Sequence, residues 1–162
     1  MTGVVTAEAV EDEIVATFGA RPVPAAPFLL RDDCATYEGN EARDWLGGKS
    51  WQDLRAEDVT LAQRDLVHFL SPDGWLYYLP ALVRFALDPA HPAEMAETLL
   101  VKLAWYPHEV AARMTPAERR AIVRFLEYLD AEDEGRGLQG MPRLALDSHW
   151  AAEGGENDDA LR

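Results

Sequence analysis

Apolar positions recur along this chain at helical spacing, and no stretch alternates with period two for long. Val10, Ile14 and Phe18 fall every four residues behind Thr6, which predicts a capped helix stopped at Gly19. Glu8, Glu11, Asp12 and Glu13 crowd its first turns, where the positive end of the helix dipole favours acids. Prolines at 22, 24 and 27 exclude helix and predict an extended connector. Phe28-Leu29-Leu30 then reads as a pinned loop or a lone strand. Residues 31–50 are polar and irregular, with one short helix expected over 41–46, ended by Gly47-Gly48. Trp51 and Leu54 read as anchors, and a helix is expected near 56–70 with Val59, Leu66 and Phe69 facing in.

Ser71-Pro72 is a strong helix start, with Ser as N-cap and Pro at the first position. The run 75–87 behind it is apolar almost all round, which predicts a helix buried on most sides. Pro80 lacks an N–H and is expected to kink that helix or split it. Asp88-Pro89 ends it. His91-Pro92 opens the next helix, which carries Met95, Leu99, Leu100 and Leu103 up to Trp105 and is expected to close at Pro107. Thr115-Pro116-Ala117-Glu118 is a capping box in sequence. Ile122, Phe125, Leu126 and Leu129 follow on one face, with Arg119, Arg120, Arg124, Glu127 and Asp130 on the other. Residues 131–140 are acidic and Gly-rich and are expected to form a mobile loop; a last short helix over 144–152 packs Trp150. The pattern predicts an all-α fold. One compact domain of five to seven helices spans residues 1–152, around a buried, Pro-kinked central helix. Residues 153–162 are expected to be a disordered acidic tail.

The run Phe69-Leu70-Ser71-Pro72-Asp73-Gly74-Trp75-Leu76-Tyr77-Tyr78-Leu79-Pro80-Ala81 resembles the central motif of a bacterial family of small helical domains of unknown function. Cys34 beside acids, Gly48-Lys49-Ser50-Trp51, Thr115–Glu118 with Leu126, and Trp150 fit the same resemblance over about residues 8–150. The resemblance implies one helical domain and carries no activity or catalytic residue. Gly74 stands where that pattern has Ala and is expected to loosen the first helical turn slightly.

The 162 residues are 48% hydrophobic, enough for a core that buries roughly 70% of the unfolded surface. Fifteen Lys+Arg stand against 29 Asp+Glu, a formal charge of −14. That balance argues against sequence-neutral nucleic-acid binding and against docking on an anionic membrane. Cys34 is the single cysteine, so no intrachain disulfide is possible. The first residues have no basic or apolar signal pattern, and the longest apolar run is too short to cross a bilayer. A soluble cytoplasmic protein is expected.

Candidate chemistry is sparse. Gly47-Gly48-Lys49-Ser50 resembles the end of a phosphate loop, but Arg43 stands where its first glycine belongs, so a helix-ending turn is the better reading. His91 and Glu94 have a metal-site spacing without a matching pair elsewhere. The acids beside Cys34 would raise its thiol pKa and quiet it, and Ser71 serves as a cap. No catalytic residue, cofactor or metal site is assigned. Arg84 is the one charge in the apolar run and is expected to pair structurally, with Asp32 or Asp33 first and Glu38 or Glu41 as alternatives. Glu127, Asp130, Glu132, Asp133 and Glu134 put five acids in eight residues. They are the candidate surface for a basic protein partner.

The function expected is therefore a non-enzymatic protein-binding domain, for example an immunity protein or antitoxin. The alternatives are a structural or regulatory domain that self-associates around Trp105-Tyr106 or Trp150, and an enzyme whose polar site draws on Asp32, Asp33, Glu38, His68 and His108.

Overall fold

Local rules set most of the helix starts. In the computed structural model, which describes residues 4–25, 29–31, 36–90 and 94–150, the Thr6 hydroxyl accepts from Ala9 N–H and opens α1, Ala7–Phe18. Thr36 caps α2, Tyr37–Leu46, which begins a turn earlier than residues 41–46. A threonine cap decides this start, whereas apolar spacing marks only the later turns. A 3-10 turn, Trp51–Asp53, carries the buried Trp51. The helix expected over 56–70 is broken into a 3-10 turn at Ala56–Asp58, α3 at Leu61–Leu66 and a 3-10 turn at Val67–Phe69. Thr60 caps α3 in a box with Gln63, which forces the restart. Val67 is buried there, and Phe69 only half-buried.

The Ser71 hydroxyl accepts from Gly74 N–H at 3.0 Å and starts the central helix α4, Pro72–Leu87. Every residue from Gly74 to Leu87 except Arg84 is buried. Pro80 does not split α4, which runs unbroken through it. The remaining helices are α5 (Glu94–Trp105), α6 (Pro107–Ala111), α7 (Pro116–Ala131), α8 (Asp133–Arg136) and α9 (Met141–Ala145). A π turn, Leu146–Trp150, follows. Pro107 opens α6 as well as ending α5, because a proline fits the first turn of a helix and pushes the residue before it out of helical geometry. Nine α-helices lie among the described residues, against the five to seven expected. Four of them have six residues or fewer, too short to print an apolar stripe.

The core forms around α4. Helix α1 packs on α4 and α7, α5 packs on α4, and α9 bridges α5 and α7. Trp150 and Tyr78, both buried in the core, find backbone acceptors, as buried polar groups require. Trp150 Nε1 donates to Leu103 O at 2.9 Å. The Tyr78 hydroxyl donates to Lys49 O at 2.7 Å, with Leu46 O at 3.2 Å, tying the middle of α4 to the end of α2. Burial pushes that phenol up to about 12.

Two expectations need correction. Residues 131–140 are not loop throughout: they carry α8 and are tied to α4. The Arg136 guanidinium donates to Ala86 O at 2.7 Å and to Leu87 O at 3.3 Å, satisfying carbonyls at the C-terminus of α4, and Leu138 is buried. Gly74 is no weak point either. A Cβ built there would lie 2.4 Å from Leu29 O, which itself accepts from Ser71 N–H at 3.0 Å beside an isolated antiparallel bridge between Leu30 and Leu70. The residue is small because another backbone passes over it. Residues 91–93 and 151–162 lie outside the described residues, and with them the cap assigned to His91 and the acidic tail.

Candidate functional site

The Tyr106-Pro107 break borders a polar cleft. Pro107 disfavours helical geometry at Tyr106, which has φ −131° and ψ 42° between α5 and α6. The chain bends there, and Glu109 on α6 reaches back to Lys102 on α5, seven residues away. Lys102 Nζ donates to Glu109 Oε2 at 2.7 Å and lies 5.8 Å from the Tyr106 ring centroid. The Lys102 side chain is 8% exposed and that of Glu109 45%. Arg31, His68 and Val101 complete a cleft of ≈ 390 Å³. Burial pushes the His68 imidazole below its ordinary value; Asp65 opposes this, and Lys102 and Arg64 add to it. His68 remains exposed overall, so the effect is a bias toward the neutral form. Next to the cleft Trp105 is 64% and Tyr106 55% exposed.

The acidic end has a different character. Asp133 Oδ2 accepts from Gly140 N–H at 2.7 Å, and Asp130 pairs with Arg143. Glu127, Glu132 and Glu134 are exposed, and their side chains make no hydrogen bond or ion pair among the described residues. Of the five acids, two fix α8 and α9 in place and three face solvent.

The other candidates are dispersed. Arg84 is half-buried, donates to Leu54 O at 2.8 Å and lies 5.5 Å from the Phe85 ring centroid. Asp32, Asp33 and Cys34 lie outside the described residues, and Glu38 and Glu41 are exposed on α2. His108 meets His149 edge-to-face at 4.7 Å. Among the described residues no three of His, Cys, Asp and Glu approach as a metal-binding group. Gly47 to Ser50 form the turn that ends α2: Gly48 has φ +76°, Lys49 N–H donates to Leu46 O, and Ser50 pairs with Asp53. No helix of the described residues is long and apolar enough to cross a membrane.

Residues 29–154 match DUF6714, a family of unknown function. The chain belongs to this family. No curated protein and no solved structure matches it. The DUF6714 match takes in the cleft, the acidic end and every helix from α2 onward. Helix α1 and Arg21 lie before it, yet Val10, Ile14 and Phe18 of α1 are fully part of the core.

Sequence reasoning missed the Lys102–Glu109 pair. The spacing of seven across a proline reads as separation, and only the bend at Tyr106 turns it into contact. One signal was legible: Lys102 is the single charge in the stretch Thr98-Leu99-Leu100-Val101-Lys102-Leu103-Ala104-Trp105.

Proposed function

We propose that the chain is a non-enzymatic protein-binding domain of the cytoplasm that meets a basic partner, in the manner of an immunity protein or antitoxin. The observation that supports this is the set of outward carboxylates Glu127, Glu132 and Glu134 at the junction of α7 and α8, on a chain of charge −14. Carboxylates that satisfy no internal group are free to steer a cationic surface and to pair with it. Asp130 and Asp133 serve the reading indirectly, by holding the segment that presents the three glutamates.

The test is a pull-down from native lysate with the whole chain and with a Glu127→Lys, Glu132→Lys, Glu134→Lys variant, each at low and high salt. Asp133 is left alone because its loss would free Gly140 N–H and confuse binding with folding. One stoichiometric basic protein, held by the parent chain, released by salt and lost by the variant, supports the proposal. Retention by the variant refutes the surface, and no stoichiometric partner refutes the reading.

A second reading is self-association through Trp105 and Tyr106, since two adjacent exposed aromatic residues are the kind that anchor interfaces. Sedimentation would then show an oligomer that Trp105→Ser converts to monomer; a monomeric parent chain ends this reading.

A further inference from the structure

We propose that the cleft beside Tyr106 binds a neutral saccharide, with the apolar face of a sugar ring stacked on Tyr106 and its hydroxyls bonded to Lys102 and Glu109. The inference goes beyond the protein-binding reading and does not rest on it, since the acidic end plays no part in it.

Tyr106 lines the cleft and is 55% exposed, so much of its ring is open to a ligand. The face of an aromatic ring carries partial negative charge and attracts the C–H groups on the apolar side of a sugar ring. The backbone that presents this ring is held in place: Tyr106 N–H donates to Lys102 O at 3.0 Å, and Pro107 follows. The cleft measures ≈ 390 Å³. That lies at the lower end of the ~300–1,000 Å³ of ordinary ligand sites and suits a ligand of one or two sugar rings.

The groups beside the ring offer donors and acceptors together. An ammonium has three N–H donors, and Glu109 Oε2 is the one hydrogen-bond acceptor Lys102 has among the described residues. The second carboxylate oxygen, Glu109 Oε1, accepts no hydrogen bond among them, and Glu109 is nearly half exposed. His68, which burial biases toward the neutral form, adds one donor and one acceptor. A sugar hydroxyl both donates and accepts, so adjacent hydroxyls can bridge from the ammonium to the open carboxylate oxygen. The Lys102–Glu109 pair is also what makes the ligand neutral. Its charges cancel at 2.7 Å, and an ion of either sign would have to compete with one partner for the other. A hydroxyl uses the spare positions and leaves the pair intact. Arg31 lines the same cleft with an interaction of its own, so the selection does not draw on its charge.

The test titrates the isotopically labelled whole chain with the methyl glycosides of glucose, galactose, mannose and N-acetylglucosamine, followed by backbone amide shifts. At least one glycoside is expected to give saturable shifts at Val101, Lys102 and Tyr106, with a dissociation constant on the order of 1–10 mM. Glycerol, which has hydroxyls but no ring face, should give none. Salt should change the affinity by less than about twofold, as for an uncharged ligand. Tyr106→Ala should weaken the glycoside roughly 3- to 10-fold, whereas Tyr106→Phe keeps the ring face and should stay within about twofold of the parent chain. Glu109→Ala removes the acceptor and should also weaken binding several-fold. The proposal is overturned if no glycoside saturates, if glycerol shifts the same amides equally, if the affinity falls steeply with salt, or if Tyr106→Ala binds as well as the parent chain. Should Tyr106→Ala fail to fold, Glu109→Ala decides alone, and unchanged binding there overturns the proposal.

Discussion

Glu118 is the side chain whose loss should cost most for its size. It is 3% exposed and accepts from Thr115 N–H at 2.8 Å, from Arg21 Nε at 2.7 Å and from Arg21 Nη2 at 2.8 Å. Arg21 also donates to Arg113 O at 2.7 Å, so one guanidinium ties the end of α1 to the start of α7. Breaking a buried pair by removing one partner costs about 3–5 kcal/mol. Arg21 is about one-fifth exposed and can turn partly to water, which lowers the cost to the bottom of that range. Losing the capping box adds about 1 kcal/mol. Glu118→Ala should therefore destabilise by about 3–4 kcal/mol, and Glu118→Gln, which keeps one acceptor but no charge, by about half as much. Urea unfolding followed by tryptophan fluorescence would measure both. A double-mutant cycle with Arg21→Gln should give a coupling of about 2 kcal/mol. The pH dependence has a definite sign. Burial alone would push the Glu118 carboxyl up; the Arg21 guanidinium and the Thr115 N–H and hydroxyl outweigh it and hold it below the usual carboxylate range. Its contribution is then present above the unfolded carboxylate pKa and lost as pH falls through the lower folded value. The gap between the parent chain and Glu118→Gln should close on acidification. A cost below about 1 kcal/mol for Glu118→Ala, additive double mutants, or a gap that does not change with pH would each refute the reasoning.

Gly74→Ala tests tertiary contact against helix propensity. Propensity alone favours Ala by about 1 kcal/mol, but the new Cβ would meet Leu29 O at 2.4 Å, so the variant should unfold at lower denaturant. Stabilisation would show that the Leu29 backbone yields freely. Arg136→Met should destabilise by about 1–2 kcal/mol by leaving the Ala86 and Leu87 carbonyls without their cap. Hydrogen exchange at Arg136 and Gly137, whose N–H groups bond to Glu132 O and Asp133 O, should be slow in the parent chain and faster in the variant. Fast exchange in the parent chain would restore the mobile-loop reading of residues 131–140.

Much of the helical inventory was legible because its signals are local. Thr6, Ser71 and Thr115 sit three residues before the N–H groups they accept from, and the stripes of α1 and α7 repeat within one helix. The short helices were less legible, since one turn carries no period. The same divide runs through the candidate sites. The five acids at 127–134 are contiguous and visible, but nothing in their order says that Asp133 reaches Gly140 or that Asp130 pairs with Arg143. Arg84 was visible as an isolated charge, whereas the Leu54 carbonyl that receives it lies thirty residues away.

The sequence by itself determined the all-α class, the identity of the buried central helix and the Thr6, Ser71 and Thr115 caps, because hydrophobic period and capping act over three or four residues. Only the tertiary structure decided that Gly74 must be small, that Arg136 closes α4, that Arg21 joins Glu118 across ninety-seven positions, and that a proline bend folds Glu109 onto Lys102. Each of these depends on where one backbone passes another. That is fixed by the packing of the whole core and leaves no periodic trace in the chain.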